Sequence, residues 1–200
     1  MNVINNKTGV PLTHYRELLK NSDVDLLSAR SGIEYSGDAF RTVLLGRCVN
    51  ITREGGIFFD NGDIPCEYTQ ILLIRLILEG VLLPFSGGFK AYKELPWGGV
   101  YEQQFNARCV KRLAAVYGKK LQLFREACES LGGIEISAGD AGSELEFLPG
   151  LKMRLMLWEP DEEFPASAQI LFSDNFASAF TAEDMAVAGD TLINAMKGRW

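Results

Sequence analysis

"PCEYTQILLIRLILEG", residues 65–80, is the stretch of sequence that decides the fold class. Its apolar run from Ile71 to Leu78 covers nearly every face of a helix and is interrupted only by Arg75. A helix without a polar face is buried on most of its sides, so this segment is predicted to be the central helix of the protein. Asp63 is predicted to cap its beginning, and Gly80 is predicted to end it.

The segment before this helix carries a strand pattern. Residues 40–52 are rich in β-forming residues, and the turn "REGG" separates them from the short apolar run "IFFD". This arrangement predicts a β-hairpin in which residues 40–52 form one strand. The alternation along that strand places Val43 and Leu45 on the same face.

Helical patterns and then further strand patterns follow the central helix. Two amphipathic helices are predicted in the region of residues 101–131, and the strand candidates "GIEISAG", "SELEFL", "LKMRLMLW" and "SAQILF" come after them. A last helix is predicted to begin at Thr181. Because strands and helices come in blocks, the sequence predicts an α+β fold, with a mixed or antiparallel sheet and helices packed around the central apolar helix.

The composition is typical of one globular domain with a mildly acidic surface. Hydrophobic residues make up 47% of the chain, and the formal net charge is −6. We expect residues 1–38 to be an N-terminal helical extension and residues 39–200 to be a single α+β domain. The acidic balance argues against nucleic acid as a partner, because that affinity comes mainly from Lys and Arg. The nearest basic patch is interpreted as a solvated helix end and consists of Lys111, Arg112, Lys119 and Lys120.

Neither a signal peptide nor a membrane span is expected. Residues 1–10 are polar where a signal peptide needs an apolar core. No apolar run approaches the roughly 18 residues that a membrane helix requires. The protein is therefore predicted to be cytoplasmic.

The common catalytic and metal-binding signatures are absent from the sequence. It contains no phosphate-binding G-x-x-x-x-G-K, no G-x-S-x-G and no H-E-x-x-H motif, and its one histidine is His14. The four cysteines form no C-x-x-C pair, so a metal site is not predicted and no cofactor can be named. Each has apolar neighbours in the sequence, so they are interpreted as buried free thiols at Cys48, Cys66, Cys109 and Cys128.

The first candidate site is the acidic loop, residues 158–165, where three acids lie between Pro160 and Pro165. These carboxylates could bind a hard cation together with Asp174, supply a general acid or base, or pair with a cationic ligand or an arginine such as Arg154. An acidic solvated turn is the alternative. The candidate residues here are Arg154, Trp158, Asp161, Glu162 and Glu163.

The second candidate site is the aromatic loop, "FKAYKELPWGGVY", residues 89–101. Its rings and charges could line a ligand cleft, and Gly98 and Gly99 would let the backbone approach a ligand closely. The alternative is a packed loop that covers the central helix. The candidate residues here are Lys93, Glu94, Trp97 and Tyr101.

Both loops resemble the signature of a domain-of-unknown-function family that is found mainly in anaerobic bacteria and archaea. The resemblance covers roughly residues 38–198 and includes the "DEEFPA" loop, the following "ILF", the "ED" pair of the last helix and the "ELPWGGVY" segment. The family has no established activity. Some relatives carry the domain beside an iron–sulfur module, which implies redox or one-carbon metabolism, but this chain has no cluster motif.

The function predicted from these observations is a ligand-binding or accessory domain of anaerobic metabolism, with a pocket between the aromatic loop and the acidic loop. Its partner would be a small molecule or a redox or iron–sulfur protein. Two alternatives stay open. One is an enzyme that uses Glu162 or Glu163 as general acid/base or hard-metal ligand, and the other is a protein-interaction module that presents its acids to a basic partner.

Overall fold

The structure, a computed structural model, describes residues 8–200 and combines helices with two antiparallel sheets. The helices are α1 (Gly9–Lys20), α2 (Val24–Ser31), α3 (Glu67–Glu79), α4 (Gly98–Phe105), α5 (Lys111–Tyr117), α6 (Leu121–Glu129), α7 (Phe176–Ala179) and α8 (Ala182–Ala195). The strands are β1 (Tyr35–Ser36), β2 (Ala39–Leu44), β3 (Arg47–Thr52), β4 (Ile57–Phe59), β5 (Phe89–Ala91), β6 (Ile134–Ile136), β7 (Ala141–Leu148), β8 (Leu151–Trp158) and β9 (Ser167–Ser173). The predicted α+β class is confirmed, and the sheets are antiparallel.

Helix α3 is buried on most sides, with α1, α2 and α8 packed against it. Arg75, the one charge in its apolar run, faces α1 and α8. Its guanidinium lies 2.9 Å from a carboxylate oxygen of Asp184 and donates a hydrogen bond to the hydroxyl of Tyr15. The predicted Asp63 cap is wrong, because α3 begins at Glu67 and the Asp63 carboxylate pairs with Arg47 at 3.0 Å.

The first sheet has the strand order β1-β2-β3-β4. The prediction of one strand over residues 40–52 is wrong, because the chain reverses at Leu45 and Gly46, whose φ angles are 48° and 78°. Such positive φ values suit a tight two-residue hairpin turn. The turn changes the alternation, so Val43 points outward and is 37% exposed while Leu45 is buried. The N–H of Leu45 donates to the carbonyl of Phe147 at 3.0 Å and links this sheet to the second one.

The second sheet has the strand order β5-β9-β8-β7-β6. The segment "LKMRLMLW" predicts that Met153, Leu155 and Leu157 alternate with Lys152, Arg154 and Met156, with the second set on a wetter face. The first set is confirmed, since its three side chains are fully buried in β8, whereas Met156 of the second set is also buried, at 7% exposed. Lys152 and Arg154 stand on the opposite, wetter face. On this face, charged side chains of neighbouring strands can pair with one another without being buried in the core.

The helices after β5 form one continuous helical segment over residues 98–117. It consists of α4, a π-helical turn at Asn106–Val110 and α5, and it crosses the face of β9. The final helix α8 packs on this segment and on α3. Its predicted cap is confirmed, because the Thr181 hydroxyl and the Asp184 carboxylate form a reciprocal capping box at its first turn.

The N-terminal helices lie against α3. Leu12 and Leu19 of α1 and Leu27 of α2 are buried in the same core as the side chains of α3. The boundary at residue 38 between an extension and a domain stays a prediction.

Candidate binding groove beside the acidic loop

The acidic loop connects β8 to β9 and is held by its own backbone. One carboxylate oxygen of Asp161 accepts hydrogen bonds from the N–H groups of Glu163 at 2.8 Å and Phe164 at 2.7 Å. The Asp161 N–H in turn donates to the Phe164 carbonyl at 3.0 Å. The hydrogen bonds from Phe164 and Glu163 lower the pKa of Asp161. Asp161 therefore shapes the loop.

The next three residues, Glu162, Glu163 and Phe164, project from this turn, and we call them the acidic tip. All three are exposed, and Phe164 is 66% exposed. Within residues 8–200 no cation forms an ion pair with either glutamate. Arg154, predicted as a partner of the acids, instead pairs with Glu144 at 2.9 Å. The tip therefore presents unpaired negative charge around an exposed ring.

Arg154 belongs to a separate polar network on the outer face of the second sheet. Its guanidinium carbon lies 3.9 Å from the ring centroid of Phe89, the first residue of the aromatic loop. Glu144 accepts hydrogen bonds from both Lys152 and Arg154. Burial raises the pKa of Glu144, but these two hydrogen bonds outweigh it and leave the pKa below its usual value. Each charged group of this network thus has a partner of opposite charge within it.

The other predicted site residues gather at the beginning of α4. Glu94 accepts a hydrogen bond from the Ala91 N–H at 2.6 Å, and the neighbouring Lys93 is exposed. Trp97 has a φ of 63° and is 75% exposed. Tyr101, one turn later, is also exposed. Trp97 lines a hollow of about 310 Å³ with Arg75 and the beginning of α8.

The aromatic loop and the acidic loop lie at opposite ends of one helical segment. Residues 98–117 span roughly 30 Å at about 1.5 Å per residue, and Trp97 immediately precedes this segment. At the other end, Gly118 contacts Ala166, the residue that follows the acidic loop. The structure therefore brings the acidic loop to the end of α5 and does not bring it to Trp97.

A groove of about 670 Å³ separates α5 from the beginning of β9. Most of its wall is apolar, and its residues come from two neighbouring segments. The helical segment supplies Val110, Ala114, Ala115 and Val116, and the loop and strand supply Pro165, Ala166, Ser167 and Ala168. Three lysines border it, namely Lys111, Lys119 and Lys120.

Small residues create this groove. A Cβ atom on Gly118 would lie 2.4 Å from the Cβ of Ala166 and 2.6 Å from the carbonyl oxygen of Ala114. Only glycine at this position allows the helix end and the loop to approach so closely. Beyond this contact, Ala114 and Ala115 leave open the space that larger side chains would fill.

The lysines at the groove edge have no side-chain partner among the residues that the structure describes. Across residues 8–200, no side chain forms an ion pair or a hydrogen bond with the ammonium groups of Lys111, Lys119 or Lys120. Residues 106–120 carry five basic side chains and no acidic one, in a chain of net charge −6. Arg108 and Arg112 share Asp190 at 2.6 Å each. The groove thus has an apolar floor and a positive edge.

Comparison with protein families identifies the family of this chain. Residues 23–195 match the family described as a domain of unknown function, DUF3786. The chain belongs to this family. No curated protein and no solved structure matches the chain. The association of the DUF3786 domain with anaerobes and iron–sulfur modules stays a prediction.

The described part of this DUF3786 domain contains no cluster of side chains that could bind a metal ion. Within residues 8–200, no three His, Cys, Asp or Glu side chains are grouped so that they could hold an ion. Asp174, considered as a fellow ligand of the acidic loop, lies past the far end of β9 and accepts hydrogen bonds from the Ser86 and Gly88 N–H groups. The helices described over the same residues are too short or too polar to cross a bilayer.

Sequence reasoning missed the groove of this DUF3786 domain. It interpreted Lys111, Lys119 and Lys120 as a solvated helix end, and it assigned no role to Ala114 and Ala115. A signal was present, because "KRLAAVYGKK" places small apolar residues between two basic pairs. That signal gains meaning only when Pro165 and Ala166 supply the facing wall.

Proposed function

We propose that this DUF3786 domain is a ligand-binding domain and that its site is the groove between α5 and the acidic loop. The observation that carries the proposal is an apolar hollow of about 670 Å³ bordered by three lysines that form no ion pair within residues 8–200. Ligand sites are typically concave and mostly apolar, with a few polar groups that orient the ligand. The ligand would have an apolar body and at least one negative charge.

The chemistry of the walls sets the expected strength of binding. Burying apolar surface yields about 25 cal/mol per Å², so a ligand that buries roughly 150 Å² gains about 4 kcal/mol. Exposed lysines add modest electrostatic attraction that salt screens. We therefore expect affinities in the range from micromolar to millimolar, weakening as ionic strength rises.

The test is a titration with the fluorescent probe 1-anilinonaphthalene-8-sulfonate, which combines an apolar ring system with one negative charge. The probe should bind the folded protein, and octanoate should displace it better than octanol of the same chain length. The double substitution Lys119→Gln/Lys120→Gln should weaken probe binding roughly three- to tenfold, the range of a lost exposed charge contact.

Two further variants distinguish the contribution of the lysine charges to binding from the contribution of the apolar cavity. Ala115→Trp should fill the groove and weaken the binding of octanoate and octanol alike. Lys90→Gln/Lys93→Gln removes two lysines elsewhere and should leave probe binding unchanged. If the probe fails to bind, or if both lysine pairs have the same effect, the groove is not a ligand site.

A further inference from the structure

We propose that the ligand of the groove is the acidic tip of a second copy of this chain, so that two copies form a symmetric dimer. This inference rests on the proposed function, because it names the partner of the same site. In the dimer, Phe164 of each copy lies on the apolar floor of the other copy. Glu162 and Glu163 meet the lysines at the edge of that groove.

The tip and the groove are complementary in both polarity and charge. The tip offers one exposed aromatic ring, 66% accessible, between two free carboxylates and a proline. The groove offers a mostly apolar floor bordered by Lys119, Lys120 and Lys111. Opposite charges around an apolar contact steer association and select the register of an interface.

The positions of the tip and the groove on the chain satisfy two-fold symmetry. The loop that carries the tip at residues 162–164 continues directly into the groove wall at Pro165 and Ala166. In an isologous contact, the same patch occurs on both copies and each half contacts the other half of its partner. A patch that contains a protrusion beside its matching groove meets this requirement when the axis passes near Pro165.

The loop is built so that the tip is ready for a partner. The hydrogen bonds of Asp161 fix the turn, and Pro160 and Pro165 restrict the backbone on either side. Within the described residues, neither tip glutamate forms an ion pair with a lysine of its own chain. A prearranged loop loses little conformational entropy when it binds.

The test is the oligomeric state, measured by sedimentation velocity and light scattering as the protein concentration increases from the low micromolar range. The wild-type protein should pass from monomer to dimer, and salt should weaken the dimer. Glu162→Lys/Glu163→Lys and Lys119→Glu/Lys120→Glu should each weaken association roughly tenfold or more, because each places like charges opposite one another. Circular dichroism should show that both variants remain folded.

The decisive result comes from mixing those two charge-reversed variants. Each contact in the mixed pair is again between opposite charges, so the two variants together should form a heterodimer more tightly than either variant self-associates. Phe164→Ser should also weaken the dimer, whereas Ile134→Ser, which removes a side chain that is 69% exposed on another surface, should not.

Three results overturn the inference. These are a wild-type protein that stays monomeric at every concentration, a dimer that the charge reversals leave intact, and a mixture that fails to associate. Probe binding by the monomer separates this failure from that of the proposed function. If the probe binds and no dimer forms, the groove is a ligand site for another molecule, and if the probe does not bind, the proposed function fails as well.

Discussion

Replacing Gly98 with alanine should destabilise the protein strongly, whereas the same change at the adjacent Gly99 should stabilise it slightly. A Cβ atom on Gly98 would lie 1.7 Å from the carbonyl oxygen of Tyr92, about half of the 3.3–3.6 Å of an ordinary close C···O contact. At Gly99 the nearest atom would be 3.8 Å away, which is normal contact.

The magnitude follows from how firmly Tyr92 is held. Its ring stacks on Phe105 with a centroid separation of 4.1 Å, and its hydroxyl donates to the Ala182 carbonyl at 2.7 Å. Overpacking that flexible side chains can relieve costs about 1–3 kcal/mol, and here a fixed backbone must move, so we expect about 3 kcal/mol or more. Gly99→Ala lies within α4 and should add about 0.5–1 kcal/mol.

Equilibrium denaturation with urea, together with thermal melting, measures both changes. For a domain of this size about 3 kcal/mol corresponds to a decrease in Tm of roughly 6–12 °C. Gly99→Ala is the matched control, since it adds the same methyl group one residue later in the same helix. Equal stability of the two variants, or a Gly98→Ala protein as stable as the wild type, would show that the clash with Tyr92 does not occur.

Three further predictions concern Gly118, Asp161 and the thiols. Gly118→Ala should destabilise the protein by about 1–3 kcal/mol through overpacking, although Gly118 has an ordinary helical φ of −63°. Adding Ala166→Gly should restore part of that stability in urea denaturation, and a double variant with no restored stability would contradict the contact between the two residues. The chemical shift of the Phe164 amide should change with a midpoint below the usual pKa of an aspartate, since hydrogen bonding lowers the pKa of Asp161. The stability that these bonds contribute is present at neutral pH and is lost as pH falls through that lowered pKa. A midpoint at the usual pKa of an aspartate would refute the prediction. A thiol-specific disulfide reagent should modify two cysteines in the folded protein and all four after denaturation. The reason is that burial raises the pKa of Cys109 and of Cys128 to about 12. Reaction of all four cysteines in the native protein would contradict this prediction. The protected pair is Cys109 and Cys128, whose predicted burial is confirmed. The reactive pair is Cys48 and Cys66, for which the prediction of burial is wrong, because both are exposed.

Those parts of the fold that depend on local periodicity could be predicted from the sequence. The buried helix α3, the alternation along β8 and the cap at Thr181 each follow from residues within one or two turns or within one strand. Such patterns report which face of an element is apolar, because a helix repeats every 3.6 residues and a strand every two. The α+β class followed from the order of these elements.

The reversal at Leu45 could not be predicted by the same means. A leucine at positive φ is unfavourable by itself, so within residues 40–52 only Gly46 carries a turn signal and Leu45 does not. The tertiary structure tolerates it because the Leu45 side chain is buried and its N–H bonds to Phe147 of the other sheet. A long-range contact thus decided a local conformation.

The sequence by itself pointed to the acids and rings of the acidic loop and the aromatic loop, but it did not reveal the groove that Lys111, Lys119 and Lys120 border. Only the tertiary structure decided which of them meet. The helical segment over residues 98–117 separates the two loops, and the close contact of Gly118 with Ala166 brings the acidic loop to Lys111, Lys119 and Lys120. Distances between segments far apart in sequence depend on how helices and sheets pack, and no single segment encodes that packing.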